Sequence, residues 1–233
     1  VGTEIDAPLG FDKKAVEFIS EYLGYEFMSA QNKFAYQSTP TDLIEVMGVL
    51  LRASDTLAKI ASDIRMSAAG PNNFINELEL PVTQKGSSIM PGKINPVEIE
   101  QIMSLHSLVV GYNATVVQVC GQSFFQLTTA YPILIYVFYA AIDMLSTFYS
   151  KFADYLLDIS VNIEKCKENV LNNPILLTRL KTTHGYSKAT EVVNYSKEKK
   201  VSFFQAAMDV LGISRTEAEE LLDPLAMTKP EIN

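Results

Sequence analysis

Metal-binding side chains, clustered basic charge and strand-like alternation are all scarce in this chain, and each scarcity excludes something. Among 233 residues there are two histidines and two cysteines. Cys120 and Cys166 lie far apart, and neither His106 nor His184 has a second ligand nearby, so no metal site and no cofactor are expected. The cysteines read as reduced, buried thiols of a cytoplasmic protein. Lysine and arginine form no cluster beyond Lys197–Lys200, which argues against a nucleic-acid partner. No signal peptide or lipidation motif is present, and the expected localisation is cytoplasmic. A membrane span needs about 20 consecutive apolar residues. From Gln101 to Ile142 there is no Asp, Glu, Lys or Arg, yet Gln, Ser, Asn, Thr and His interrupt the run throughout. No membrane partner is expected. No stretch alternates apolar and polar well over six residues, and there is no internal repeat or low-complexity tract.

What is present points to a helical globular protein. Hydrophobic content is 48% and charged content 20%, with a formal charge of −8; this composition supports a packed core. Leu43, Val46, Met47, Leu50, Leu51, Leu57, Ala58, Ala61 and Ile64 recur at helical spacing. Thr39 or Thr41 is placed to cap that helix, and Gly70-Pro71 to end the region. Helices are expected near 42–67, 96–119 and 131–158, with a small helical domain after about 161. Asn172-Asn173-Pro174 and Thr182–Gly185 punctuate short helices there, and Ser214 with Glu217 forms a capping box. The uncharged run reads as two helices buried on most sides, a pattern that belongs inside a large assembly. The fold class is therefore all-α, with residues 1–160 forming part of a helical bundle and 161–233 a C-terminal helical domain.

The most informative stretch is Gly86–Glu100, Gly-Ser-Ser-Ile-Met-Pro-Gly-Lys-Ile-Asn-Pro-Val-Glu-Ile-Glu. It reads as a mobile loop closing over an anion. Gly86 and Gly92 let backbone N–H groups approach a ligand. Ser87 and Ser88 bring hydroxyls, Lys93 a point charge and Asn95 an amide. Asn95-Pro96-Val97-Glu98 has the order of a helix start, with Asn at N-cap, Pro at N1 and Glu at N3. A helix N-terminus beside such a loop favours negative charge.

This string closely resembles the signature of the fumarase/aspartase superfamily, Gly-Ser-Ser-x-Met-x-x-Lys-x-Asn. The Pro-Gly-Lys form is similar to the class II fumarase and aspartate ammonia-lyase branch. Gly2-Thr3, Asn32-Lys33-Phe34, Lys59–Arg65, Gly70-Pro71, Glu77–Pro81, Pro132 and His184-Gly185-Tyr186 fall in family order. Family members are roughly twice as long, so the chain reads as a C-terminal half, expected to be nearly inactive alone. The resemblance implies a homotetramer around a central bundle and a small dicarboxylate substrate. It implies that Ser87 is the catalytic base, that Lys93 pairs with a substrate carboxylate, and that Glu100 hydrogen-bonds a histidine from another segment. Ser88 supplies a donor to the carboxylate that gains charge, and Asn95 either contacts substrate or only caps the helix. His106 and His184 read as structural.

Two segments depart from family habit: Gln126-Leu127-Thr128-Thr129 stands where relatives have Glu-Leu-Asn, and Lys181–His184 replaces an Asn-Pro-His sequence. The tail Asp223–Pro230 and Asn95-Pro96-Val97 lean towards aspartate ammonia-lyase; Asn32-Lys33-Phe34 and Gly10-Phe11 lean towards class II fumarate hydratase. The expected function is a fumarate-forming lyase, with the ammonia-lyase slightly ahead of the hydratase. A non-catalytic helical assembly module is the reading from a different class.

Overall fold

The computed structural model describes residues 2–70, 74–84, 90 and 93–229. The described residues are all-α, as the sequence implies: ten α-helices and one two-stranded ladder. They divide into two compact units, Val1–Arg65 with Pro81–Asp158, and Met66–Leu80 with Ile159–Asn233.

The first unit holds α1, Phe11–Leu23; α2, Lys33–Ser38; α3, Thr41–Ser67, up to Arg65; α4, Val97–Cys120; and α5, Tyr131–Leu157. The three long helices lie within a residue of the expected bounds. α1 has no predicted counterpart; it ends at Gly24, whose φ of 70° lets its N–H return to the Ser20 carbonyl. That left-handed closure is what glycine permits at a helix end. Asn32 caps α2, its side chain accepting from the Ala35 N–H. Pro132 sits in the first turn of α5, where its missing N–H costs nothing.

The core of this unit joins the three long helices. Met47 of α3, Val116 and Cys120 of α4, and Leu134, Val137 and Ala141 of α5 form one buried cluster. Their spacing within each helix is three, four or seven, which puts them on one stripe. Burying each large side chain contributes about 1.5–3 kcal/mol. Two tyrosine hydroxyls tie α5 to the chain N-terminal of it: Tyr131 Oη donates to the Tyr36 carbonyl at 2.8 Å, and Tyr149 Oη to the Ala53 carbonyl at 2.7 Å. The opposite faces stay open. Leu108, Val110 and Val117 on α4 and Ile133, Ile135, Tyr136 and Tyr139 on α5 are exposed.

α4 and α5 depart from expectation in one respect. By length and composition both are apolar enough to cross a membrane, with mean hydropathy 1.3 and 1.5. Their Ser, Thr, Asn and Tyr residues dilute the hydropathy less than the interrupted pattern suggests. The charged Asp143, Lys151 and Asp154 are nonetheless exposed along α5, and the two helices pack a buried stripe against each other.

In the second unit a short antiparallel ladder pairs β1, Leu78–Glu79, with β2, Ser160–Val161. The Asn162 side chain caps α6, Ile163–Leu171. α7 (Leu177–His184), α8 (Tyr186–Lys199), α9 (Phe203–Leu211) and α10 (Arg215–Leu221) follow. The Ser214–Glu217 capping box is formed in both directions. Leu176, Leu177, Leu180, Val192, Ala206, Ala207 and Leu222 fill the core. Gly70 is needed for packing: a Cβ there would stand 2.6 Å from that of Asn76.

Candidate functional site

Ser87 and Ser88 lie outside the described residues, as do Gly86 and Gly92. Lys93, Asn95 and Glu100 are described. They occupy the approach to α4 and its first turn, all three exposed. The Lys93 N–H donates to the Met90 carbonyl at 3.2 Å.

The start of α4 differs from the pattern read in the sequence. Pro96, at φ −80° and ψ 63°, is the N-cap residue, and no side chain caps the helix. The Asn95 carbonyl accepts from the Val97 N–H at 2.9 Å instead. Asn95 therefore does not cap, and its exposed amide is not engaged by the helix end. Glu98 is not a cap partner either, because its Oε2 is buried with no hydrogen-bond partner among the described residues. Proline at the N-cap position displaces the register by one, since its ring fixes φ and it donates nothing.

Glu100 is half exposed and faces Arg65, with Nη2 to Oε1 at 3.6 Å. Arg65 closes the Lys59–Arg65 segment in the last turn of α3. Sequence reasoning places it in a family segment but gives it no role; no spacing rule links positions so far apart. The pair sits where the α4 N-terminus contributes a partial positive charge. The chain carries a formal charge of −8, and the first turn of α4 contributes two carboxylates, Glu98 and Glu100, of which Glu100 is paired with Arg65.

The histidines take up structural contacts. His106 Nδ1 is 3.1 Å from the Ser54 hydroxyl, which itself donates to the Leu51 carbonyl at 2.8 Å. A hydroxyl with its proton so committed accepts from the ring, which places a hydrogen on Nδ1. His106 Nε2 lies 3.8 Å from Asp55. His184 is exposed, and its Nδ1 meets the Thr183 hydroxyl at 2.8 Å. Among the described residues no group of three or more His, Cys, Asp or Glu is arranged to hold a metal. Cys120 is buried and Cys166 half-buried, both as free thiols; the expectation that both are buried holds for Cys120 alone.

Comparison with known proteins agrees with the fold and the loop. A family model described as a lyase matches residues 1–111. The chain is 32% identical to a class II fumarate hydratase of Thermus thermophilus over 99% of its own length and 50% of that protein's. It is 35% identical to a class II fumarate hydratase of Xylella fastidiosa, covering 100% of the chain and 50% of the relative. In three dimensions it resembles a fumarate lyase:delta crystallin from Brucella melitensis, with a TM-score of 0.90 and 28% identity over 99% of this chain and 50% of that one. A class II fumarase from Schistosoma mansoni shares the fold at a TM-score of 0.86. The chain spans about half the length of the curated relatives it matches. With the Gly86–Asn95 signature, the helical fold and likeness along nearly its whole length, the chain belongs to the fumarase/aspartase superfamily of lyases.

Proposed function

We propose that the chain is the signature-loop portion of a fumarate-forming lyase that interconverts fumarate and L-malate, as a class II fumarate hydratase. The observation that carries the reading is the intact Gly86–Asn95 sequence leading into α4, with Lys93 and Asn95 exposed and free of capping duties. The names of the relatives favour the hydratase over the aspartate ammonia-lyase that the tail Asp223–Pro230 favours in the sequence. The ammonia-lyase is kept as the second reading on that tail.

Either reaction removes a weakly acidic proton from the carbon beside a carboxylate. The charge moves into that carboxylate, giving a dianionic aci-form that must be held by preorganised donors. In this proposal the backbone amides around Gly86 and the Ser88 hydroxyl hold it. The Ser87 alkoxide takes the proton; neighbouring amides and Lys93 must lower its pKa for that role. The Lys93 ammonium pairs with a substrate carboxylate, and the Asn95 amide hydrogen-bonds the substrate. Glu100, positioned by Arg65, orients a histidine contributed by polypeptide outside this chain. Ser87 takes the proton from one carbon while the histidine gives a proton to the hydroxyl on the neighbouring carbon, which leaves as water as the carbon–carbon double bond forms; hydration runs both transfers in reverse.

The proposal also assigns self-association, as a homotetramer, to the exposed apolar faces of α4 and α5, because surfaces this extensive are rarely left in water. Fumarate absorbance, followed with L-malate and with L-aspartate on a polypeptide that includes this chain, tests the reading. Turnover of malate alone supports the hydratase, turnover of aspartate alone the ammonia-lyase, and turnover of neither the assembly module.

A further inference from the structure

Ser54 and Asp55 of α3 and His106 of α4 form a polar node in the first unit that the proposed reaction does not use. The Ser54 side chain is buried. Its hydroxyl proton goes to the Leu51 carbonyl at 2.8 Å, so its oxygen accepts from His106 Nδ1 at 3.1 Å. This contact sets both the tautomer and the direction of the ring. The hydrogen sits on Nδ1, and the lone pair of the neutral imidazole is left on Nε2. Metal-ligating histidines are oriented in this way, through the nitrogen that does not bind the ion.

Nε2 faces a carboxylate. Asp55 Oδ1 lies 3.8 Å away, beyond hydrogen-bond reach, and Nε2 has no hydrogen-bond partner among the described residues. Lys59, one turn further along α3, does not compete for Asp55, because its ammonium is paired with Asp63. The His106 side chain is a quarter exposed and that of Asp55 three-quarters exposed, so an ion from solvent reaches both. The separation suits a shared ion: a nitrogen and an oxygen each about 2.1 Å from zinc, and about 110–130° apart around it, lie about 3.4–3.8 Å from each other. One imidazole nitrogen with one carboxylate oxygen suits zinc and copper, whereas magnesium and calcium take oxygen ligands. The pair is invisible to a search for ligands close in sequence, because its two members come from different helices.

We propose that His106 Nε2 and Asp55 Oδ1 bind a divalent cation of the zinc type, with water in its remaining positions. The ion clips α3 to α4, the two helices that also carry Arg65 and Glu100. The site does not rest on the lyase reading, since neither ligand is assigned a part in that reaction and its readouts are metal binding and stability.

The test uses the untagged 233-residue chain carrying Cys166→Ser, which removes the more accessible thiol as a rival ligand. Zinc chloride is titrated by isothermal calorimetry, thermal unfolding is followed on the same samples, and long-range proton–nitrogen NMR spectra report each ring nitrogen. The expected result is saturable binding of one zinc per chain, with a dissociation constant on the order of 100 μM or tighter. The melting temperature should rise as the site fills. The His106 Nε2 resonance should move while Nδ1 keeps its hydrogen. Copper(II) should bind more tightly than zinc, and magnesium should not bind at the same concentrations. His106→Asn keeps an N–H for Ser54 but has no Nε2, and Asp55→Asn keeps the shape without the charge; each should weaken zinc about tenfold or more. His184→Gln should change nothing. If His106→Asn fails to fold, Asp55→Asn, at an exposed position, carries the test with the same expected direction. No saturable zinc binding, binding that both substitutions leave unaltered, binding that moves His184 and not His106, or equal uptake of magnesium overturns the proposal.

Discussion

Arg65 Nη2 lies 3.6 Å from Glu100 Oε1, joining the last turn of α3 to the first turn of α4. Both side chains are about half exposed, so the pair contributes less than about 1 kcal/mol to stability. Under the proposed function the pair is assigned the aiming of the Glu100 carboxylate. In an intact enzyme Arg65→Met should leave the melting temperature nearly unchanged. It should lower kcat/KM by roughly ten- to a hundredfold through misplacement of Glu100, with partial recovery in Arg65→Lys. Thermal unfolding and steady-state kinetics on the same preparations check both halves.

Ser87→Ala should reduce kcat by about 10²–10⁴-fold with little change in KM, because a base acts in the transition state. Lys93→Ala should raise KM strongly as well, since its partner carboxylate is charged in ground and transition states alike. Normal turnover in Ser87→Ala beside lost binding in Lys93→Ala would make Ser87 a substrate ligand and send the search for the base elsewhere.

Asp12 supports the start of α1 through charge. The Lys33 ammonium at 2.9 Å and the Ser29 hydroxyl at 2.5 Å hold its carboxyl well below the usual value of 3.8. A lowered folded-state pKa gives stability that is fully present above 3.8 and shrinks as pH falls towards the folded value. Lys33 is shifted the other way, up from 10.5, by Asp12 and then Glu4. Its share is present below 10.5 and is lost above the raised value. Asp12→Asn should therefore lower the melting temperature at about pH 7, with a smaller penalty at about pH 2.5.

Burial pushes the Cys120 thiol up. Less thiolate is present at a given pH, and thiolate is the reactive species. Iodoacetamide at about pH 8 should modify the half-buried Cys166 first, and Cys120 at a comparable rate only in denaturant. Peptide mapping by mass spectrometry distinguishes the two sites.

Leu180 is fully buried in the core of the second unit. Leu180→Ala should cost about 2–5 kcal/mol, read as a lower urea midpoint by circular dichroism.

The long helices are legible in the sequence because their apolar residues repeat at three and four over many turns: Leu43, Val46, Met47 and Leu50 are enough to mark α3. The Ser214–Glu217 box marks α10 for a related reason, since all its hydrogen bonds lie within one turn. α1 does carry an apolar stripe, Phe11, Ala15, Phe18, Ile19, Tyr22 and Leu23, which the sequence reading leaves unused, and none of it is buried in the structure. The two-residue ladder is too short for alternation to register. At α4 the Asn-Pro-x-Glu order misleads by one position, because Pro96 occupies the cap position itself. The signature loop is plain in the sequence, whereas the Arg65–Glu100 pair arises from packing between helices distant in the chain.

The central claim is that Gly86–Asn95 builds a fumarate-forming site. The most direct measurement is fumarate absorbance during incubation of L-malate with an intact polypeptide carrying this chain, beside its Ser87→Ala and Lys93→Ala variants. The account predicts malate-dependent fumarate formation in the parent and its loss, through kcat and through KM respectively, in the two variants. Absence of fumarate from malate and aspartate alike in a folded parent, or turnover indifferent to both substitutions, would contradict it.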